Sequence, residues 1–180
     1  TGLKPVVAIE LEFYLLDKKR NKEGKPVPAK GVSKTNVYGI PDLDIFGRLF
    51  DEINENCKKQ GIPATTASSE FAAGQYEINL KHTENLLKAA DDAALLRRII
   101  KETSAKHGYE ATFMAKPFLD ETGSGMHLHV SVYDKKGKNI FASPNRYGNS
   151  KLKNAIAGLQ SNFYDSFPIF IPNQNGYRRI

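Results

Sequence analysis

The sequence predicts an α+β fold built on a largely antiparallel sheet, and three observations carry that expectation. Two segments, "VVAIELEFYLL" (6–16) and "MHLHVSVYD" (126–134), alternate between apolar and polar residues, the two-residue period of a half-buried strand. Two others, near 44–60 and 85–107, repeat apolar residues every three or four positions, which is the helical period. No repeat, low-complexity tract or internal domain boundary interrupts the 180 residues, so one domain suffices.

The first strand turns Val7, Ile9, Leu11, Phe13 and Leu15 one way and Glu10 and Glu12 the other. The Lys-, Gly- and Pro-bearing stretch 17–41 then reads as a loop or irregular hairpin. From Asp44 a helix carries Phe46, Leu49, Phe50, Ile53 and Cys57 on one stripe until Gly61 and Pro63 stop it. Segment 64–70 is a strand, "AAG" turns, and "QYEINL" (75–80) returns with Tyr76, Ile78 and Leu80 opposite Glu77 and Asn79. A long helix over Asn85–His107 buries Leu86, Ala89, Ala93, Leu96 and Ile100, with Gly108 as its stop. "ATFMAKP" is a short strand ended by Pro117, and the loop "FLDETGSG" leads into strand 126–134. There Met126, Leu128, Val130 and Val132 oppose His127, His129, Ser131 and Tyr133. "DKKGK" turns that strand into "NIFA" as a hairpin, a last helix covers about 150–165, and "PIFIPNQNGYRRI" closes irregularly.

Composition excludes several classes of function. The net charge of +6 sits largely in "DKKRNKEGKPVPAK" (17–30), which reads as a solvated loop. No interleaving of aromatic and basic residues supports a nucleic-acid platform. Cys57, the only cysteine, rules out an internal disulfide and a cysteine-based zinc site. No apolar run approaches membrane-spanning length. No signal peptide is visible, but the chain starts at Thr1, so the lack of one decides nothing.

Three strands share one design, an apolar face backed by a face of ligand-type side chains. Glu10 and Glu12 come from the first, Glu77 from another with Glu70 before its turn, and His127 and His129 from the third. Each motif alone is ordinary; an isolated Glu-x-Glu on a strand is usually a solvent-facing edge. If the strands are neighbours, four carboxylates converge and repel unless cations neutralise them. Oxygen-rich ligation with imidazole and no thiolate favours magnesium or manganese. A cupin would need a glutamate after His-x-His, and none follows Glu121. Metal-dependent amidohydrolases need more histidines than these four, of which His82 and His107 read as helix-flanking or surface positions. A P-loop would lie between strand and helix, whereas "TGSGMH" feeds a strand.

Taken together, "ELEFYL", "E-FAAGQYE", "ATFMAKP", "GSGMHLHVS" and "NGYRR" resemble the glutamine synthetase superfamily, in that family's order and over essentially the whole chain. The wording is closest to the γ-glutamyl-polyamine ligase branch. The resemblance implies a curved sheet with flanking helices of the glutamine synthetase catalytic-domain (guanido-kinase-like) type, here incomplete. It implies that Glu12, Glu70 and Glu77 hold one magnesium or manganese ion, and that Glu10 and His127 supply two of three ligands of a second. His129 and Ser131 match positions beside ATP. Thr122 and Gly123 match the loop that binds substrate glutamate, and Arg179 an arginine that pairs with that substrate or its phosphate. The implied reaction makes γ-glutamyl phosphate from glutamate and ATP, and ammonia or an amine then displaces phosphate. A cytoplasmic parent forming a large homo-oligomer is implied as well.

Thr122 stands where ammonia-using members commonly have asparagine, which bears on the acceptor amine. Nothing here matches the family's N-terminal β domain with its amine-deprotonating acid. The C-terminal arginines, the flap glutamate and the remaining ligand of the second metal are also unmatched. Residues 1–180 therefore read as the central part of a catalytic domain, unable to catalyse ligation alone. The competing expectation is a non-catalytic relative that keeps the scaffold for binding.

Overall fold

A computed structural model of the chain describes residues 2–29 and 38–179. Its elements run β1 (Lys4–Asp17), α1 (Ile40–Ile45), α2 (Gly47–Lys59), β2 (Ala64–Ser69), β3 (Gln75–Leu80), α3 (Leu86–Lys106), β4 (Tyr109–Thr112), β5 (Met126–Tyr133), α4 (Ser150–Ser161) and α5 (Phe167–Phe170). A 3₁₀ turn over Gly176–Arg179 follows. The five strands form one antiparallel sheet.

β1 is the spine. On one edge it pairs with β3, matching Glu10 to Asn79 and Glu12 to Glu77. Its other edge is shared: β5 takes Lys4 to Leu11, and β4 takes Tyr14 to Asp17. β2 lies outside β3, and Gly74 makes the turn between them at φ +73°. A β-carbon there would sit 3.0 Å from the Leu15 carbonyl oxygen, so the position takes glycine on both counts.

Alternation in β1 decides where the core lies. Val7, Ile9, Leu11, Phe13 and Leu15 are buried with Tyr76, Ile78 and Leu80 of β3 beneath the helices. α2 contributes Leu49, Ile53 and Cys57; α3 contributes Ala89, Ala93, Leu96, Ile99 and Ile100. Among them, Phe13, Leu96 and Ile100 are fully inaccessible. Burying one such side chain stabilises by about 1.5–3 kcal/mol. A smaller cluster of Tyr14, Leu16 and Ala72, with Phe118 against it, fills the opposite face near the end of β1.

Several elements depart from the sequence reading. The start of the 17–41 stretch agrees with it: residues 17–29 fold back on β1 as an irregular hairpin through Asp17 N–H to Val27 O and Ala29 N–H to Leu15 O, and residues 30–37 lie outside the described residues. The helix expected from Asp44 begins at Ile40, where Pro41 occupies the first turn without needing an N–H partner, and breaks at Phe46. There the Phe46 ring turns inward, edge-on to Tyr76 and Tyr109. Leu86 is 45% exposed, and the buried stripe of α3 includes Asp92, Thr103 and Ser104 instead. Asp92 is tied to Lys88 at 2.7 Å.

The strand read over "ATFMAKP" is in fact β4, ending at Thr112. It cannot run on along β1, because the Glu12 N–H already donates to Gly125 O. "NIFA" forms only a bridge, Tyr133 to Asn139, since the Asn149 side chain takes the carbonyls of Ile140 and Ala142. The last helix ends at Ser161, four residues early. The apolar face of β5 is uncovered: Met126, Leu128 and Val130 are exposed.

Candidate active site

Opposite the core, the register of β1 builds a row of ligand-type side chains. Glu10 pairs with His127 across one edge and Asn79 across the other, and Glu12 pairs with Glu77. Glu70 stands just past β2, its N–H bonded to Gln75 O at 2.8 Å. One ligand atom from each of Glu10, Glu77 and His127 falls within 4.8 Å of the others. The neighbouring strands thus converge as their alternation predicts. This tightest trio, however, crosses the two groups implied by resemblance, taking Glu77 from one and Glu10 with His127 from the other.

The acids are crowded and half-withdrawn from water. Burial pushes the Glu70 carboxyl up to about 7, and the charges of Glu12 and Glu77 add to the rise. Burial also raises Glu77, as does Glu10, against a hydrogen bond from the Asn79 amide at 3.2 Å. Both shifts say that ionised carboxylates here lack sufficient positive charge within the chain. His127 Nδ1 lies 3.3 Å from Glu10 Oε2 and 3.7 Å from Glu12 Oε1. His129 Nε2 is closer still to Glu10, at 2.8 Å from Oε1. The two histidines therefore both contact Glu10. His129 also lines, with Ser131, Val6, Ala8, Asn79 and His82, a cavity of about 380 Å³ that continues from the carboxylates.

A second group meets the carboxylates from the loop before β5. Gly125 N–H donates to Glu12 Oε2 at 2.9 Å, and a β-carbon on Gly125 would lie 3.0 Å from Glu12 Oε1 and 3.2 Å from His127 Nε2. At Gly123 a β-carbon would approach Ala115 O at 2.6 Å and Arg179 Nε at 2.9 Å, so only glycine lets the arginine lie there. Arg179 Nη1 donates to Ser124 O at 2.9 Å. Asn175 holds the segment that follows β4, accepting from Lys116 N–H at 2.8 Å and donating back to Lys116 O at 2.9 Å. Thr122, Gly123 and Arg179 are thereby assembled beside Glu12.

Sequence reasoning missed Gln75, Tyr14, Gly125 and Asn175. Gln75 shares the parity of Glu77 and Asn79 on β3, which was the available signal. Tyr14 and Asn175 act across long sequence separations that no local pattern marks. His82 is exposed, and His107 caps α3 while contacting Glu52 at 2.9 Å, both as read from sequence.

The family model for the glutamine synthetase catalytic domain matches residues 1–180. γ-Glutamylputrescine synthetase of Escherichia coli K12 is 42% identical over 99% of the chain. A glutamate–isopropylamine ligase of a Pseudomonas species is 36% identical and a glutamine synthetase of Thermotoga maritima 31%, each over 99% of the chain. The chain spans about two fifths of these relatives, 39%, 40% and 40% of their lengths. Among solved structures, unliganded GmaS superposes with a TM-score of 0.84 at 27% identity, over 99% of this chain and 42% of that one. Plasmodium falciparum glutamine synthetase gives 0.84 at 21% identity over 99% of this chain and 40% of that one, a likeness of fold.

Proposed function

Since the chain belongs to the family of glutamine synthetase catalytic domains, we propose that it is the central part of an ATP-dependent glutamate–amine ligase that works through γ-glutamyl phosphate. The observation that carries this is the convergence of Glu10, Glu12, Glu70, Glu77 and His127 on one sheet face, with Glu70 raised to about 7. Crowded carboxylates whose ionised form lacks compensation fit divalent cations, and their hard oxygen donors suit magnesium or manganese.

Glu12, Glu70 and Glu77 would hold one cation, and Glu10 with His127 part of a second. Bound there, the cations would offset charge on the transferring phosphoryl group. His129 and Ser131 orient the nucleotide in the adjoining cavity. Thr122 and Gly123 hold glutamate, and the Arg179 guanidinium pairs with its carboxylate or with the phosphate formed. In-line transfer places the glutamate γ-carboxylate oxygen on the γ-phosphorus of ATP and releases ADP; the amine nitrogen then takes the acyl carbon and expels phosphate.

Two relatives are named for putrescine and isopropylamine, which supports an alkylamine acceptor over ammonia, as does threonine at 122. The parent of this chain would be a cytoplasmic homo-oligomer that supplies the unmatched arginines and the amine-deprotonating acid. The test is glutamate-dependent ADP release by the full-length protein with putrescine, spermidine, ethanolamine and ammonia. Release with none of them, from a protein that binds manganese, would favour the non-catalytic scaffold. His127→Ala should weaken manganese binding, and His129→Ala should raise the ATP requirement; the reverse pattern would exchange their roles.

A further inference from the structure

Gln75 is 2% exposed, and all four hydrogen-bonding positions of its amide are used. Nε2 donates to Glu12 Oε2 at 3.2 Å and to Gly123 O at 3.1 Å. Oε1 accepts from the Thr122 hydroxyl at 2.5 Å and from Ala72 N–H at 3.3 Å. Both groups facing the nitrogen are acceptors, and both facing the oxygen are donors. The amide thus has one orientation that satisfies every partner, and the flipped one would oppose three of the four, the Thr122 hydroxyl alone being able to turn and accept.

Tyr14 completes the same link, donating from its hydroxyl to Thr122 O at 2.7 Å. Glu12 Oε2 has a second donor in Gly125 N–H, from the far end of the loop. One buried side chain therefore joins a carboxylate of the cation cluster to the loop assigned to glutamate. A half-satisfied buried amide is costly, so a shift at either end is transmitted to the other.

We propose that Gln75 is a positioning residue that couples the Glu12 carboxylate to the Thr122–Gly123 loop, so that order at the cation cluster and order at the substrate loop rise and fall together. The proposal deepens the functional reading above and rests on it for the roles of Glu12 and Gly123. The coupling itself rests only on the contacts.

A double-mutant cycle on this chain with Gln75→Met and Thr122→Val decides it. Among the described residues Thr122 makes no hydrogen bond to a carboxylate; its hydroxyl reaches Glu12 through Gln75, whereas the loop backbone reaches it through Gly125 N–H, and the cycle separates the two routes. Two readouts are taken: manganese affinity by calorimetry, and amide exchange at Gly125, which reports the Glu12 contact without metal. Exchange at Leu96 and Ile100 in α3 checks that each variant is folded. Each single variant is expected to lower manganese affinity about ten-fold, within the range for groups that orient metal ligands. Each should speed Gly125 exchange, and Thr122→Val should add nothing in the Gln75→Met background.

Thr122→Val leaving both readouts at parent values, or effects that simply add, would overturn the coupling. A parent chain that binds no manganese would overturn the cation assignment instead, and the exchange cycle would still decide the role of Gln75. Should Gln75→Met fail to fold, the Thr122→Val variant alone carries the test, since parent-like Gly125 exchange there refutes the proposal.

Discussion

Residues 4–112 and residues 126–179 both form regular elements, yet only the first stretch has a core. In the first, β1 and β3 bury one face against α2 and α3, and Phe13, Leu96 and Ile100 are inaccessible to solvent. In the second, Gly176 is the only buried residue among those described. β5 is held by its backbone pairing to β1, and its outer apolar side chains face water. α4 has an N-cap, Asn149 accepting from Leu152 N–H, but buries none of its residues. Backbone pairing and capping are enough to shape an element, whereas a core needs a facing layer. A helix of 12 residues without one is marginal in water.

The largest expected effect tests that contrast directly. Phe13→Ala should cost about 3–5 kcal/mol in urea unfolding, the range for emptying a closed aromatic site. Leu159→Ala on α4, where the side chain is 66% exposed, should stay within about 0.5 kcal/mol. A loss above about 2 kcal/mol at Leu159 would show that α4 packs against something in solution, and the contrast would collapse.

Cation binding should draw the two stretches together, since Glu12 and Glu77 belong to the first and His127 to the second. Manganese at a hundred times its dissociation constant should stabilise the chain by about 2.7 kcal/mol, read as a rise in thermal midpoint. Glu77→Ala should abolish most of that rise. An undiminished rise in the variant would remove Glu77 from the ligand set.

A smaller effect comes from pH in the absence of metal. Glu70 titrates near 4.5 when unfolded and near 7 when folded, so the folded chain holds the extra proton between those values. Stability from this group is present in full below about 4.5 and is lost as pH rises through about 7. Glu70→Gln should flatten that fall in thermal midpoint. An equal slope in the variant would show that the raised pKa belongs to another group.

The smallest prediction compares two caps. Asn85 caps α3 through Lys88 N–H, and Asn85→Ala should cost about 1 kcal/mol of global stability. Asn149→Ala should leave the global transition unchanged and speed amide exchange only in α4. Equal global losses would mean that the two helices unfold as one unit.

The same contrast explains what could be read from the chain. Period-two alternation located β1, β3 and β5 and placed Glu10 with Glu12, Glu77 and His127 each on the polar side of its own strand, because strand parity is local; that the strands are neighbours, and so share that face, is a fact of pairing. It could not say that β5 lacks a covering layer, because Met126 and Leu128 carry the same pattern as Val7 and Ile9. "ATFMAKP" looks like a strand by composition. It stops at Thr112 because Gly125 occupies the next position along β1, a fact of tertiary pairing. Leu86 fits the α3 stripe by spacing but lies at the first turn, beyond the reach of the core. Glu70 and Glu77 were legible as misplaced acids. Gln75 was not, since its meaning depends on a loop 47 residues away.

The shared spine has a kinetic consequence. Pairing Glu10 with His127 joins residues 117 apart, and Gln75 reaches Glu12 across 63. Local contacts in α2 and α3 can form early, whereas these closures must wait for distant segments to meet. The acids would then gather only after the hydrophobic layer has collapsed beneath β1. A chain emerging from the ribosome would carry Glu10 and Glu12 for more than a hundred residues of synthesis before the histidine that faces them, 117 positions after Glu10, is made.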